Sequence, residues 1–283
     1  MADARVKDAT TEPLGMAMPA LGIAAEDMAE LRLACEHLEH PSLAARLTNV
    51  IGTPIEIGLQ LLPRRWYKGL HDVAESAIRK ALDSALSSMR RAHEISAHER
   101  YYKALVAGTG AVGGLLGLPG LLLELPVTTT LMLRSIAEIA RDQGEDVHTE
   151  EAKAACLEVF ALGGRSELDD AADTGYYGVR LALASYVTLA GLHASHVPLV
   201  GHSTPALVRL IQGISARFGA DLSTQAAARA LPVVSAAGAA AVNLVFMQHF
   251  QDMARGHFTV RRLERRYGPE LVKANYEHLV SEM

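Results

Sequence analysis

Three polar side chains stand inside otherwise apolar stretches and are the first candidates for chemistry: Glu124, Arg134 and Asn243. Glu124 lies among leucines in GLLLELPV and is the only charge between Lys103 and Arg134. A carboxylate in such a setting needs a partner or a proton. It is therefore a candidate general acid or a contact for the polar head of a ligand. The plainer reading is that it caps a backbone end beside Pro119 and Pro126. Arg134 is the nearest cation in sequence, but Glu138, one turn on, is its easier partner. Asn243 shares a helical face with Met247, Phe250 and Ala254, at steps of four, three and four, so it points inward. There it bonds a neighbouring helix, or meets a ligand headgroup.

Other constellations offer less. His193 and His196 can share a helix face, as zinc ligands do, but no HExxH motif and no nearby carboxylate completes a site. Gly201-His202-Ser203-Thr204-Pro205 resembles a nucleophile elbow, yet Pro205 stands where the second glycine belongs and no strand precedes it. A hydrolase using Ser203 and a neighbouring histidine therefore ranks last. Glu167, Asp169, Asp170 and Asp173 lack calcium-loop spacing, and an acidic helix start accounts for them. No catalytic residue, metal or cofactor is assigned. Arg64, Arg65, Trp66, Tyr67 and Lys68 form a basic-aromatic cluster. Of these, Arg64, Arg65, Trp66 and Lys68 suit a membrane surface, where Trp buries its body and cations meet anionic phosphate. The alternative places Trp66 in the core with the charges solvated.

These residues need helices to position them. The 283 residues are 21% charged and 49% apolar, with mean hydropathy +0.13 and aromatics at only 5%. No alternating runs suggest strands, and the Ala/Leu/Glu/Arg stretches indicate an all-α fold. A net charge of −5 disfavours nucleic acid as a partner. Cys35 and Cys156 show no metal spacing and fit a reducing compartment. The polar N-terminus lacks a signal peptide's apolar run, so a cytoplasmic location is expected.

Residues 1–22 read as a flexible arm. A helix is predicted from about Ala24 to His40, and a second, capped by Ser42, to about Val50. From Trp66 the pattern is amphipathic, with Leu70, Val73, Ala77, Ala81 and Leu82 at helical spacing. Thr149 caps another helix that stops at Gly163-Gly164. Pro232 opens the last apolar run, Ala230 to Gln248. Arg261, Arg262, Arg265 and Arg266 then form a basic helical patch, read as a solvated face or an anionic-lipid contact.

The organising stretch runs from Ala104 to Arg141. It is uncharged for twenty positions, Ala104 to Leu123, and again no formal charge occurs from Leu181 to Val208. Gly110 and Gly114, like Gly113 and Gly117, are four apart, a spacing that lets helices approach closely. We expect a Gly-rich apolar helical hairpin at the centre of the protein. Burial in protein and burial in lipid demand the same surface, so both remain open. Pro126 is expected to start or kink its second helix, which ends before Gly144.

Three pieces together resemble the EcsC family: GLQLLP…ALDSALSSM; GLLGLPGLLLELPVTTTLMLRSIAEIARDQG with CLEVFALGG; and LPVVSAAGAAAVNLVFMQHFQDMAR. The resemblance covers roughly Ile51 to Tyr267, and 23–283 are taken as one EcsC-like helical domain. It implies a bacterial helical protein with no agreed catalytic motif, whose namesake is encoded beside an exporter-type ABC transporter. Ser235 replaces the glycine expected in the last Pro-x-x-Gly turn. The resulting expectation is a non-catalytic, membrane-peripheral protein on the inner face of the plasma membrane. It would assist transport, secretion or lipid handling, with a membrane transporter as a further partner. A soluble carrier enclosing a lipid-like ligand is the alternative, and Glu124, Arg134 and Asn243 would meet its head.

Overall fold

The computed structural model describes residues 22–39, 42–89, 99–114, 118–162, 175–184, 205–231, 234 and 236–283. It is helical throughout, and no strand occurs among the described residues. The helices are α1 (Ala25–Glu39), α2 (Leu43–Ile51), α3 (Ile55–Leu61), α4 (Arg64–Met89), α5 (Glu99–Gly114), α6 (Leu118–Asp142) and α7 (Glu150–Leu162). They are followed by α8 (described over 176–184), α9 (Pro205–Ala230), α10 (Ala236–Tyr267) and α11 (Pro269–Ser281).

Local chemistry sets many of the boundaries. The Ser42 hydroxyl accepts from the Ala45 amide at 3.3 Å, and Gly52 closes α2 in the left-handed region at φ 72°. Gly144 ends α6 at φ 80°. Thr149 caps α7 by accepting from the Ala152 amide at 3.2 Å. Two prolines signal helix boundaries in the sequence. Pro126 lies inside α6 rather than at its start, and the helix begins at Leu118. Proline removes one backbone bond, but Leu121, Leu125, Thr128 and Thr129 are buried on either side of it. Tertiary packing thus carries the helix through. α10 begins at Ala236, after the turn that Pro232 was expected to close into a helix; Pro232 itself lies outside the described residues.

α10 is the central pillar. At 32 residues it is the longest helix described, and it packs on α1, α2, α5, α6, α7, α9 and α11. Phe246 and Phe250 on it meet Phe160 of α7 and Phe218 of α9 in tilted and edge-on pairs, with centroids 4.9–6.1 Å apart. The far end of α10 carries a smaller core with α1, α8 and α11, built on Leu31, Cys35, Tyr176, Leu263, Val272 and Tyr276.

The C-terminal arginines are not a free basic face. Arg261 pairs with Glu145 at 2.8 Å and Glu151 at 3.1 Å, and Arg266 with Asp27 at 2.9 Å. Arg262 pairs with Glu30, and Arg265 with Glu145. These bonds tie α10 to α1 and to the α6–α7 turn. Arg265 and Arg266 are exposed, as a solvated face requires, but the partners are distant in sequence and the pairing is not legible from sequence alone.

One close approach fixes α3. A Cβ at Gly58 would overlap the Ala227 carbonyl of α9, with the carbonyl carbon 2.7 Å away. Backbone cannot yield as a side chain does, so Gly58→Ala is expected to destabilise by about 1–3 kcal/mol. Gly69→Ala is the contrast: nothing lies within 4 Å of that Cβ, and helix propensity favours alanine by up to about 1 kcal/mol. Urea denaturation of both variants checks the pair; a Gly58→Ala midpoint at or above wild type contradicts it.

Candidate functional site

Four helices meet at a buried polar junction. Glu124 comes from α6, Gln225 and Arg229 from the last two turns of α9, and Asn243 from the second turn of α10. α5 supplies the Val106 carbonyl. Arg229 Nη2 donates to Glu124 Oε1 in an ion pair and to Asn243 Oδ1 at 2.6 Å. Gln225 Nε2 donates to the same Asn243 oxygen at 2.7 Å. The Asn243 amide donates to the Val106 carbonyl at 3.1 Å and to Glu124 Oε1 at 3.2 Å. Asn243 thus touches all the other members, using both ends of its amide.

Glycines on α5 make the room. A Cβ at Gly110 would lie 2.5 Å from Asn243 Nδ2, and one at Gly113 would overlap the Glu124 carboxylate. Gly110 and Gly113, three apart and so on one face of α5, therefore admit polar side chains to the interface. Burial pushes the Glu124 carboxyl above its usual range; the charge and hydrogen bond of Arg229, and the bond from Asn243, oppose that. Glu124 Oε2, Gln225 Oε1 and Arg229 Nε and Nη1 are buried without a hydrogen-bond partner.

The structure thus brings together two of the three ligand-contact candidates. Glu124 and Asn243 are bonded, whereas Arg134 lies ten residues further along α6 and half-buried, roughly 15 Å along the axis. Its charge instead acts on Tyr102, which donates to Glu138 at 2.7 Å. Glu124 does not cap a backbone end; Arg229 partners it. Arg229 and Gln225 were missed. The available signal was Asp221, Gln225 and Arg229 at steps of four, each buried on α9.

Trp66 is half-buried and packs against the main core. The side chains of Arg64, Arg65 and Lys68 lie outside the described residues, as do Glu167, Asp169, Asp170, Asp173, His193, His196, His202 and Ser203. Among the described residues, no group of three or more His, Cys, Asp or Glu is placed to hold a metal ion.

Three exposed apolar residues sit next in sequence to closely packed positions. Val112 (67% exposed), Leu123 (72%) and Ile57 (47%) are the chain neighbours of Gly113, Glu124 and Gly58. Each of those three is packed at the C-terminal end of α9 or on the junction there. Val127 and Leu61, one turn from Leu123 and Ile57, are about half exposed. Val112, Leu123 and Val127 thus face outward from the paired helices α5 and α6 that carry Gly113 and Glu124, while Ile57 and Leu61 face outward from α3, which packs on α9 at Ala227.

α6 is also, among the described residues, the one helix long and apolar enough to cross a membrane; 61% of its most apolar 18-residue window is buried inside the protein. The same property suits the core helix of a soluble protein, and the fold and the junction define the chain only as an all-helical protein built on a central helix. Its family is clear: the sequence profile of the EcsC protein family matches residues 27–263, most of the chain, and the chain belongs to that family. No curated protein and no solved structure matches it.

Proposed function

We propose that this is a non-catalytic protein that docks peripherally on a membrane through the end of the fold where α9 terminates. It would work on the cytoplasmic face as an accessory to transport, secretion or lipid handling. The observation that carries the reading is the exposure of Val112, Leu123 and Val127 on the paired helices α5 and α6, with Ile57 and Leu61 also exposed on α3. Transferring a Val or Leu side chain from water to an apolar medium is worth about 1.5–3 kcal/mol, so a few together give usable affinity. Arg64, Arg65 and Lys68 come shortly after Leu61 in sequence, beyond Leu62 and Pro63, and each cation near an anionic surface adds about 1 kcal/mol. The buried junction would hold α5, α6, α9 and α10 together, so that docking needs no unfolding.

A second reading, a carrier holding a lipid-like ligand between helices, is favoured by the unpartnered atoms of Glu124, Gln225 and Arg229. In either case a membrane or a lipid is the partner, and a membrane transporter is a further candidate.

The test is flotation with vesicles mixed from neutral and anionic phospholipid. Wild type should float. Val112→Glu/Leu123→Glu/Val127→Glu should stay at the bottom while keeping its helical circular dichroism, since all three side chains face outward. If the triple variant floats as well as wild type, or wild type does not float, the docking surface is wrong.

A further inference from the structure

The packed helices α5 and α6 grade from apolar to cationic in one shared direction. They run antiparallel: the Tyr102 hydroxyl of α5 donates to Glu138 late in α6 at 2.7 Å, and Gly113 late in α5 packs against Glu124 early in α6. On α6, exposed Leu123 and Val127 are followed by half-buried Thr130 and Arg134, all within about 60° around the helix. On α5, read in reverse, the exposed residues are Val112, Gly108, Leu105, Tyr101 and Arg100. The order is opposite in sequence, so antiparallel packing makes it the same in space. Between Lys103 and Arg134 the only charge is buried Glu124.

The half-exposed hydroxyls of this stretch are satisfied by their own helices. Thr109 donates to the Val106 carbonyl at 3.0 Å and Thr130 to the Pro126 carbonyl at 2.7 Å. A polar group entering hydrocarbon must be satisfied within the protein, and these two are. Arg134 is the opposite case. It forms no ion pair or hydrogen bond among the described residues, and its charge is felt only at Tyr102. Length agrees as well. Leu123 to Arg134, and Val112 to Tyr101, are each eleven residues, about 16 Å along a helix. The hydrocarbon of one leaflet is about 15 Å deep.

We propose that α5 and α6 dip into one leaflet of an anionic phospholipid bilayer, with Val112, Leu123 and Val127 leading, and that Arg134 binds a lipid phosphate. Arg100 and Tyr101 then stand in the headgroup layer, where cations and aromatic rings are at home. This inference rests on the membrane-docking reading and adds an orientation and a headgroup ligand to it.

The test titrates the full chain with vesicles of phosphatidylcholine mixed with phosphatidylglycerol. Arg134→Gln should weaken binding about fivefold, whereas Arg134→Lys should keep most of the wild-type affinity. Arg32→Gln removes the same charge from an exposed site on α1, which packs on α10 and α11, and should leave binding unchanged. Circular dichroism checks that each variant is folded. A dye at Leu123→Cys should be quenched more by lipid brominated in mid-chain than by a headgroup quencher, and a dye at Tyr101→Cys the reverse; Cys35 and Cys156 are buried. If wild type binds but Arg134→Gln binds equally well, or the two dyes show the same quenching order, this orientation is overturned and docking stands. If wild type does not bind, docking fails and this inference fails with it.

Discussion

Arg229→Met is expected to lower the unfolding free energy by about 3–5 kcal/mol, because it leaves a carboxylate buried without its cation. Glu124 is 7% exposed and Arg229 8%, so solvent cannot replace the lost partner. Adding Glu124→Gln in the same chain should recover much of the loss, since a neutral amide restores balance without a charge to bury. The deficit also depends on pH. Burial raises the folded-state pKa of Glu124, and Arg229 is the main cause opposing it; without Arg229 that pKa rises further. A carboxyl whose folded pKa is raised is fully tolerated below the unfolded value of 4.5. It costs stability as pH climbs toward the folded value. The Arg229→Met deficit should therefore be larger at pH 8 than at pH 5. Urea unfolding at the two pH values measures this; equal deficits, or no recovery in the double variant, would contradict the pairing.

A second large effect is expected at the other end of α10. His257 is fully buried, bonded through Nδ1 to the Tyr176 hydroxyl at 3.0 Å, with Nε2 3.8 Å from Glu158 Oε2. Burial pushes the Glu158 carboxyl up to about 7, with Arg180 and Arg261 opposing and Glu264 adding to it. Burial, then Arg180 and Arg261, pull His257 well below its ordinary 6.5. The two groups act in opposite directions on acidification. As pH falls from 7 toward 4.5, folded Glu158 holds a proton that the unfolded chain has released, and stability rises. Below 6.5 the unfolded chain takes up a proton that His257 refuses, and stability falls.

Between these limits the two slopes nearly cancel, each being about 1.4 kcal/mol per pH unit. Glu158→Gln should expose the histidine slope, losing about 3 kcal/mol relative to wild type between pH 6.5 and 4.5. His257→Gln should do the opposite and gain stability on acidification. Parallel pH–stability profiles for the three proteins would rule out this coupling.

Much of the helical framework was legible because its punctuation is local. The Ser42 and Thr149 caps and the stop at Gly144 act within a few residues. The inward face of α10 was legible too, since Asn243, Met247, Phe250 and Ala254 keep helical register and all are buried. The junction was only half visible. Glu124 stands out as a charge among leucines, but its partner Arg229 is 105 residues away, and proximity in sequence favours Arg134 instead. Sequence leaves open whether Pro126 starts or interrupts α6, because a proline signals a boundary locally while packing of the residues around it decides that the helix passes through. The arginines at the end of α10 looked free for a related reason: Glu30, Glu145 and Asp27 reach them only through the fold.

The most direct measurement is site-specific fluorescence with the full chain and anionic vesicles. Cys35 and Cys156 are buried, and burial pushes both thiols up to about 12, so neither competes for a thiol-reactive probe. An environment-sensitive dye is placed at Leu123→Cys, and in a second protein at Ala274→Cys, an exposed position on α11 beyond the far end of α10. Docking through the end where α9 terminates gives a blue shift at position 123 and none at 274 when vesicles are added. No shift at 123, or equal shifts at both, would contradict it.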